Sequence, residues 1–310
     1  MVINLKIVSY MRILKDKKNQ FSLLTVLIFL MMNISCAKSP DNRQNFEILN
    51  IINQNGIIGG QETQIEEFPF LVNIWLKLPR EEYEGHICGG SLIHKKWVLT
   101  AAHCVYGDAP DETLQILKVQ NLVLYMGSSH LNGEGGRKLK ARSIIVHPKY
   151  DSPYHDVALI ELSEPVLDIQ PLEISQAPQE PTENSNQALV VGWGLIDSAG
   201  QHEAQKVRQT NLTLMSRQEC QQDPLPQKKG WTIGSEILCA KSNHAQQSSC
   251  PGDSGGPLLQ KLNGVYQQIG IVSWGTACRG NFHVVQGSNV DGYAAVADAA
   301  TWILQTIQSH

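Results

Sequence analysis

The chain lacks any Cys-x-x-Cys pair, any strong charge excess and any internal repeat, and its apolar segments are short. Without a close cysteine pair, its 7 cysteines do not read as a structural metal site. Lys and Arg number 25 against 29 Asp and Glu, a net charge of -4 with the lysines scattered. That balance argues against recognition of nucleic acid or an anionic membrane by charge. The apolar stretch at residues 21–32 falls short of the roughly 20 residues that a comfortable spanning helix needs. Basic residues are also missing between Arg43 and Ile57, which matters below.

What is present concentrates in Cys250-Pro251-Gly252-Asp253-Ser254-Gly255-Gly256-Pro257. Glycines around Ser254 let the backbone turn sharply and present a hydroxyl beside unhindered amides. A serine nucleophile needs both, one to attack and the others to receive an oxyanion. Taken alone, Gly-Asp-Ser-Gly is equally an ordinary turn. A serine also needs a base, and His103 follows the strand-like run Trp97-Val98-Leu99. Asp156 precedes another apolar run, Val157-Ala158-Leu159-Ile160, which would hold its carboxylate at the edge of a core. Such a carboxylate fixes the imidazole tautomer and stabilises the imidazolium. Singly, His103 and Asp156 read as a structural histidine and a turn aspartate; the order His103, Asp156, Ser254 changes the balance.

With Ile57-Ile58-Gly59-Gly60, Cys88-Gly89-Gly90-Ser91-Leu92-Ile93, Gly192-Trp193-Gly194 and Ser273-Trp274-Gly275, the chain resembles the trypsin/chymotrypsin family of serine endopeptidases over nearly all of residues 57–310. The resemblance implies Ser254 as nucleophile, His103 as base and then acid, Asp156 as orienting carboxylate, and the amides of Gly252 and Ser254 as oxyanion hole. It implies that Ser273-Trp274-Gly275 pairs with the substrate backbone. It also implies the disulfides Cys88–Cys104, Cys220–Cys239 and Cys250–Cys278, one of 15 connectivities that six cysteines allow, and hence an oxidising compartment. Protein or peptide substrates, no cofactor and a monomer go with this reading. The segment where the family binds calcium, residues 127–139, carries a single acid, Glu134, so no metal is expected.

Residues 1–36 read as a secretory signal, with a lysine-rich region, a short apolar region and Ser35-Cys36 at its end. Cys36 is a candidate lipidation site of a bacterial envelope protein, with Asn33 a departure from that motif; plain secretion is the competing reading. Residues 37–56 are a polar, asparagine-rich tether. In the family, a cut before the isoleucine frees an amine that pairs with the aspartate beside the nucleophile, here Ile57 and Asp253. Gly56 stands where most relatives carry Arg or Lys, so a peptidase tolerant of Asn55-Gly56 must activate this chain. Any membrane anchor at Cys36 would then be transient.

The resemblance further implies an all-β fold of two six-stranded antiparallel barrels, about 57–177 and 188–295, with a C-terminal helix over 296–308. Apolar runs at 70–75, 122–126, 142–146, 188–192 and 268–272 suit the strands, and the spacing of Ala299, Trp302, Ile303 and Ile307 suits the helix. Ser248 occupies the family's pocket floor, where serine favours apolar or aromatic P1 residues, and Gly275 leaves the entrance open. On the opposite wall, alignment without gaps from Tyr293 puts Asp291 in the pocket, able to bind Lys or Arg. A shift of one residue makes Gly292 the wall, and Arg279 could neutralise Asp291. Apolar P1 is the first reading and basic or mixed P1 the alternative. A non-catalytic binding protein on the same scaffold is the rival function, although its usual mark, a missing site residue, is not found.

Overall fold

β-branched and aliphatic runs form the strands of this computed structural model, which describes residues 57, 60–78, 83–108, 114–178, 181–182, 185–196, 202–242, 248–275 and 288–310. The leader, the tether, Cys36, Cys278 and Arg279 lie outside the described residues. The first half contains β1 (Gln61–Glu62), β2 (Leu71–Leu78), β3 (Tyr83–His94), β4 (Trp97–Thr100), β5 (Tyr106–Asp108), β6 (Leu114–Ile116), β7 (Leu122–Met126), β8 (Arg137–Leu139), β9 (Ala141–Val146) and β10 (Ala158–Leu162). The second contains β11 (Glu173–Ile174), β12 (Gln187–Gly192), β13 (Arg208–Met215), α1 (Arg217–Gln222) and α2 (Pro224–Lys229). After these come β14 (Ile237–Ser242), β15 (Pro257–Leu262), β16 (Val265–Gly275), β17 (Val290–Ala295) and α3 (Val296–Ser309). Among the described residues no helix is long and apolar enough to cross a membrane.

In the second half the order β13-β12-β15-β16-β17-β14 closes through a β13–β14 pairing, so these strands form a barrel without free edges. The first half is a 7-stranded sheet, β8-β7-β2-β3-β4-β10-β9, whose end strands are not hydrogen-bonded to each other among the described residues. Where the sequence suggests a second closed six-stranded ring, this half is therefore open. β8 has only 3 residues and pairs with β7 alone among the described residues.

Period-2 alternation sorts the apolar side chains of the second barrel. Val190, Leu212, Leu258, Ile269 and Tyr293 fill its interior, while Val191, Leu259 and Ile271 join the core built by Ile74, Leu92, Leu99 and Leu159. α3 adds Ala299 and Ile303 to that shared core. Fully burying one such aliphatic side chain stabilises the fold by about 1.5–3 kcal/mol. Cys88–Cys104 and Cys220–Cys239 are bonded as expected; the third pair involves Cys278, outside the described residues.

Candidate active site

His103 stands on a short 3-10 turn, Ala102–Val105, directly after β4. The β4 residues Trp97 to Thr100 are all buried and fix where the turn begins. The Thr100 hydroxyl donates to Gly89 O at 2.8 Å, and the next turn residue, Cys104, is bonded to Cys88 in β3. The histidine loop is thus tied twice to one strand.

Asp156 leads into β10 and is 3 % exposed. Its Oδ1 accepts the His103 backbone N–H at 2.9 Å, and its Oδ2 accepts His103 Nδ1 at 2.7 Å and the Ser273 hydroxyl at 2.5 Å. A carboxylate facing Nδ1 places the ring proton there, so Nε2 carries the basic lone pair. Burial pulls the His103 pKa down, but the charge and hydrogen bond of Asp156 outweigh it and hold the ring above ordinary imidazole. Burial likewise raises Asp156, and the charge and hydrogen bond of His103, with the Ser273 bond, bring its carboxyl below the usual range.

Ser254 sits in the turn between β14 and β15, flanked by Gly252 at φ +98° and Gly255 at φ +77°. A Cβ on Gly255 would run into the Thr100 hydroxyl and the Gly89 carbonyl, so the nucleophile turn lies against the histidine side only because that residue is glycine. Gly89 N donates to Ser254 O at 2.7 Å, and Gly255 N to Val272 O at 2.8 Å. Among the described residues neither the Gly252 nor the Ser254 N–H donates to a protein acceptor. Backbone joins Ser254 to β3, the strand to which the histidine loop is tied; a hydroxyl–imidazole hydrogen bond is not formed among the described residues.

Asp253 is fully buried and turned inward, accepting Gly194 N at 2.8 Å and Cys250 N at 2.9 Å. Gly192 and Gly194 are small where the carboxylate passes, since a Cβ on either would overlap it. Burial, with Asp291 nearby, pushes the Asp253 pKa up to about 7. Ile57 is also fully buried, at φ +32°, an unusual value for a β-branched residue.

Gly275 pairs with Asp291 and Trp274 with Gly292 across β16 and β17. Asp291 turns beneath Gly275, where an added Cβ would strike its Oδ1, whereas Gly292 lies flat under the Trp274 ring. Ser248 Oγ lies 2.7 and 2.6 Å from the two Asp291 oxygens, and Ser249 donates to Oδ2 from its N–H at 3.1 Å and its hydroxyl at 3.2 Å. Ser248, Gly275 and Asp291 therefore converge.

Among the described residues the ligand atoms close enough to share a metal belong to Cys88, His103 and Cys104, and both sulfurs are already in a disulfide. Two residues that bear on the site escaped the sequence: His86, which reaches Gly252 O from β3, and Asn73, which bonds to the other side of the His86 ring. The one available signal was a histidine two places before Cys88 on a strand otherwise bound for the core. A protein-family model described as trypsin matches residues 57–303.

Proposed function

The chain belongs to the trypsin family, and on that premise we propose that it is a serine endopeptidase acting through an acyl-enzyme. The carrying observation is the Asp156 carboxylate held on His103 Nδ1, which leaves Nε2 as the basic nitrogen. Ser254 Oγ attacks the peptide carbonyl as its proton passes to Nε2. The carbonyl oxygen takes the negative charge and is received by the amides of Gly252 and Ser254, whose lack of acceptors among the described residues supports that role. Each such donor contributes on the order of 3 kcal/mol to the transition state. The imidazolium then protonates the leaving amine as the C–N bond breaks. Water attacks the ester in the same way, with His103 again the base.

A fluorophosphonate probe on protein beginning at Ile57 tests this. The expected result is one covalent adduct per chain, absent in Ser254→Ala. No adduct at a verified Ile57 terminus would favour the non-catalytic binding protein.

For P1 the observation favours the second sequence reading, a basic residue. Ser248 as floor suits an apolar side chain, but the buried Asp291 carboxylate lies against Ser248 beneath Gly275, an anion of the sign that meets a Lys or Arg side chain. Asp291→Gly is expected to remove cleavage after Lys and Arg in a peptide-library digest; unchanged basic cleavage would take Asp291 out of the pocket role.

The reading includes synthesis as a secreted or envelope-associated zymogen. Cleavage before Ile57 by a separate peptidase would supply the ammonium that the buried Asp253 calls for, and would release the catalytic part from any lipid at Cys36. Mature protein still held on membranes through Cys36 would exclude that release.

A further inference from the structure

One side chain from the first half of the molecule reaches the carbonyl of Gly252. His86 in β3, 7 % exposed, has Nε2 at 2.8 Å from Gly252 O and Nδ1 at 2.6 Å from Asn73 Oδ1. Asn73 in β2, also buried, donates Nδ2 to Leu131 O at 2.8 Å. That last bond orients the amide, because a backbone carbonyl can only accept; Asn73 must give its NH2 to Leu131 and turn its oxygen to His86. The imidazole therefore stands between two acceptors. A neutral ring has one N–H, enough for one of them, and the other contact sets lone pair against lone pair. An imidazolium would donate to both.

We propose that His86 is a positioning residue for the oxyanion hole, and that Asn73 and Gly252 compete for its single ring proton. The proposal rests on the peptidase reading only for its catalytic consequence. Holding Gly252 O fixes the plane of the peptide that follows, and a glycine at φ +98° has no Cβ to hold the preceding plane, which carries the oxyanion N–H. Protonation of His86, or removal of the Asn73 acceptor, commits a donor to Gly252 and steadies that N–H.

The titratable groups on the surrounding elements leave the contest intact. Asp253 on the nucleophile turn spends its carboxylate on the Gly194 and Cys250 amides. Lys77 on β2 and Glu84 on β3 pair with each other at 2.6 Å. Tyr125 on β7 lies under Lys138, and Glu203 acts on Tyr83. On the loop carrying Leu131, the Glu134 N–H and carbonyl bond to Asn132 and Ser128, and the His130 carbonyl also accepts from Ser128. Burial brings the His86 pKa down to about 4, opposed by the Gly252 carbonyl. The ring is neutral where the enzyme works, so the competition is live there.

The test uses Ser254→Ala protein beginning at Ile57, with the imidazole nitrogens followed by long-range proton–nitrogen NMR and the Gly252 amide by hydrogen exchange. At pH 7 His86 is expected to show both tautomers. Asn73→Leu should convert it to the Nε2–H form and slow Gly252 exchange about fivefold, whereas His86→Phe should speed that exchange about tenfold. Should His86→Phe fail to fold, His86→Gln serves, and its NH2 should hold Gly252 close to the original rate. In the Ser254 background, His86→Phe should lower kcat about tenfold with KM nearly unchanged, since an oxyanion donor is misplaced rather than lost. A single Nε2–H tautomer in the unmutated ring, with Gly252 exchange indifferent to both substitutions, overturns the proposal. If the Ser254 protein hydrolyses nothing, the peptidase reading fails instead, and the ring and exchange results still decide this one.

Discussion

Asp156 accepts three hydrogen bonds while almost wholly buried, and the charge it keeps sets two opposed pH dependences. Its lowered carboxyl pKa contributes stability above the unfolded value near 3.9, and that contribution is lost as pH falls through the folded value. The raised His103 pKa contributes stability below about 6.5, lost as pH rises through the folded value. The pair is firmest between those limits, but catalysis needs His103 neutral. kcat/KM is expected to climb through an apparent pKa above about 6.5, read from a pH–rate profile. Asp156→Asn should cut kcat about 10⁴-fold and shift that limb to lower pH, because the anion that raised the ring is gone. Ser273→Ala is milder: the carboxylate loses one donor while both His103 bonds persist, so kcat should fall far less than in Asp156→Asn.

Among the elements, strands made of contiguous apolar runs were readable: β7 spans Leu122–Met126 as the pattern says, and β12 and β9 differ only at an end. β3 was not, because Glu84, Gly85, His86, Gly89 and Gly90 interrupt its periodicity while its pairing to β2 and β4 keeps it extended. α1 and α2 were not anticipated. Yet Ser216 and Glu219 form a reciprocal capping box, and Asp223 caps a helix that begins at Pro224, both of which are sequence signals. His103, Asp156 and Ser254 stand out in the sequence because the proposed chemistry demands particular residue types, and the structure sets Asp156 on His103 Nδ1. The sequence leaves two placements of Asp291 open, since its inward turn goes with a register shift between Val272 and Trp274 that no single strand encodes. That register carries its own prediction. Gly292→Ala would push a methyl into the Trp274 ring; overpacking of this kind costs about 1–3 kcal/mol. The expected outcome is a lower Tm, with kcat/KM falling more for long peptides than for a single-residue amide, since Trp274 lies on the strand proposed to pair with substrate.

For the molecule as a whole, Asp253 is the residue proposed to answer cleavage before Ile57. In the uncleaved chain its pKa of about 7 lies some three units above an unfolded aspartate, worth about 4 kcal/mol. The folded state binds that proton more tightly, so this stability is present at acid pH and is lost as pH rises from about 4 to about 7. Urea unfolding of uncleaved Ser254→Ala protein across that range should show the decline. Protein beginning at Ile57 should show much less of it, because an ammonium would keep the carboxylate ionised. Equal slopes in the two forms would separate Asp253 from activation.

The hydrogen bond from Gly89 N to Ser254 O, and that from Ser273 to Asp156, run between the open sheet and the closed barrel. Imidazole and carboxylate come from one, the hydroxyl from the other. A chain severed between residues 178 and 187 would yield two inert fragments, each missing half the reaction. Mixing them should restore turnover at a rate that scales with the product of their concentrations, as in complementation of a split enzyme.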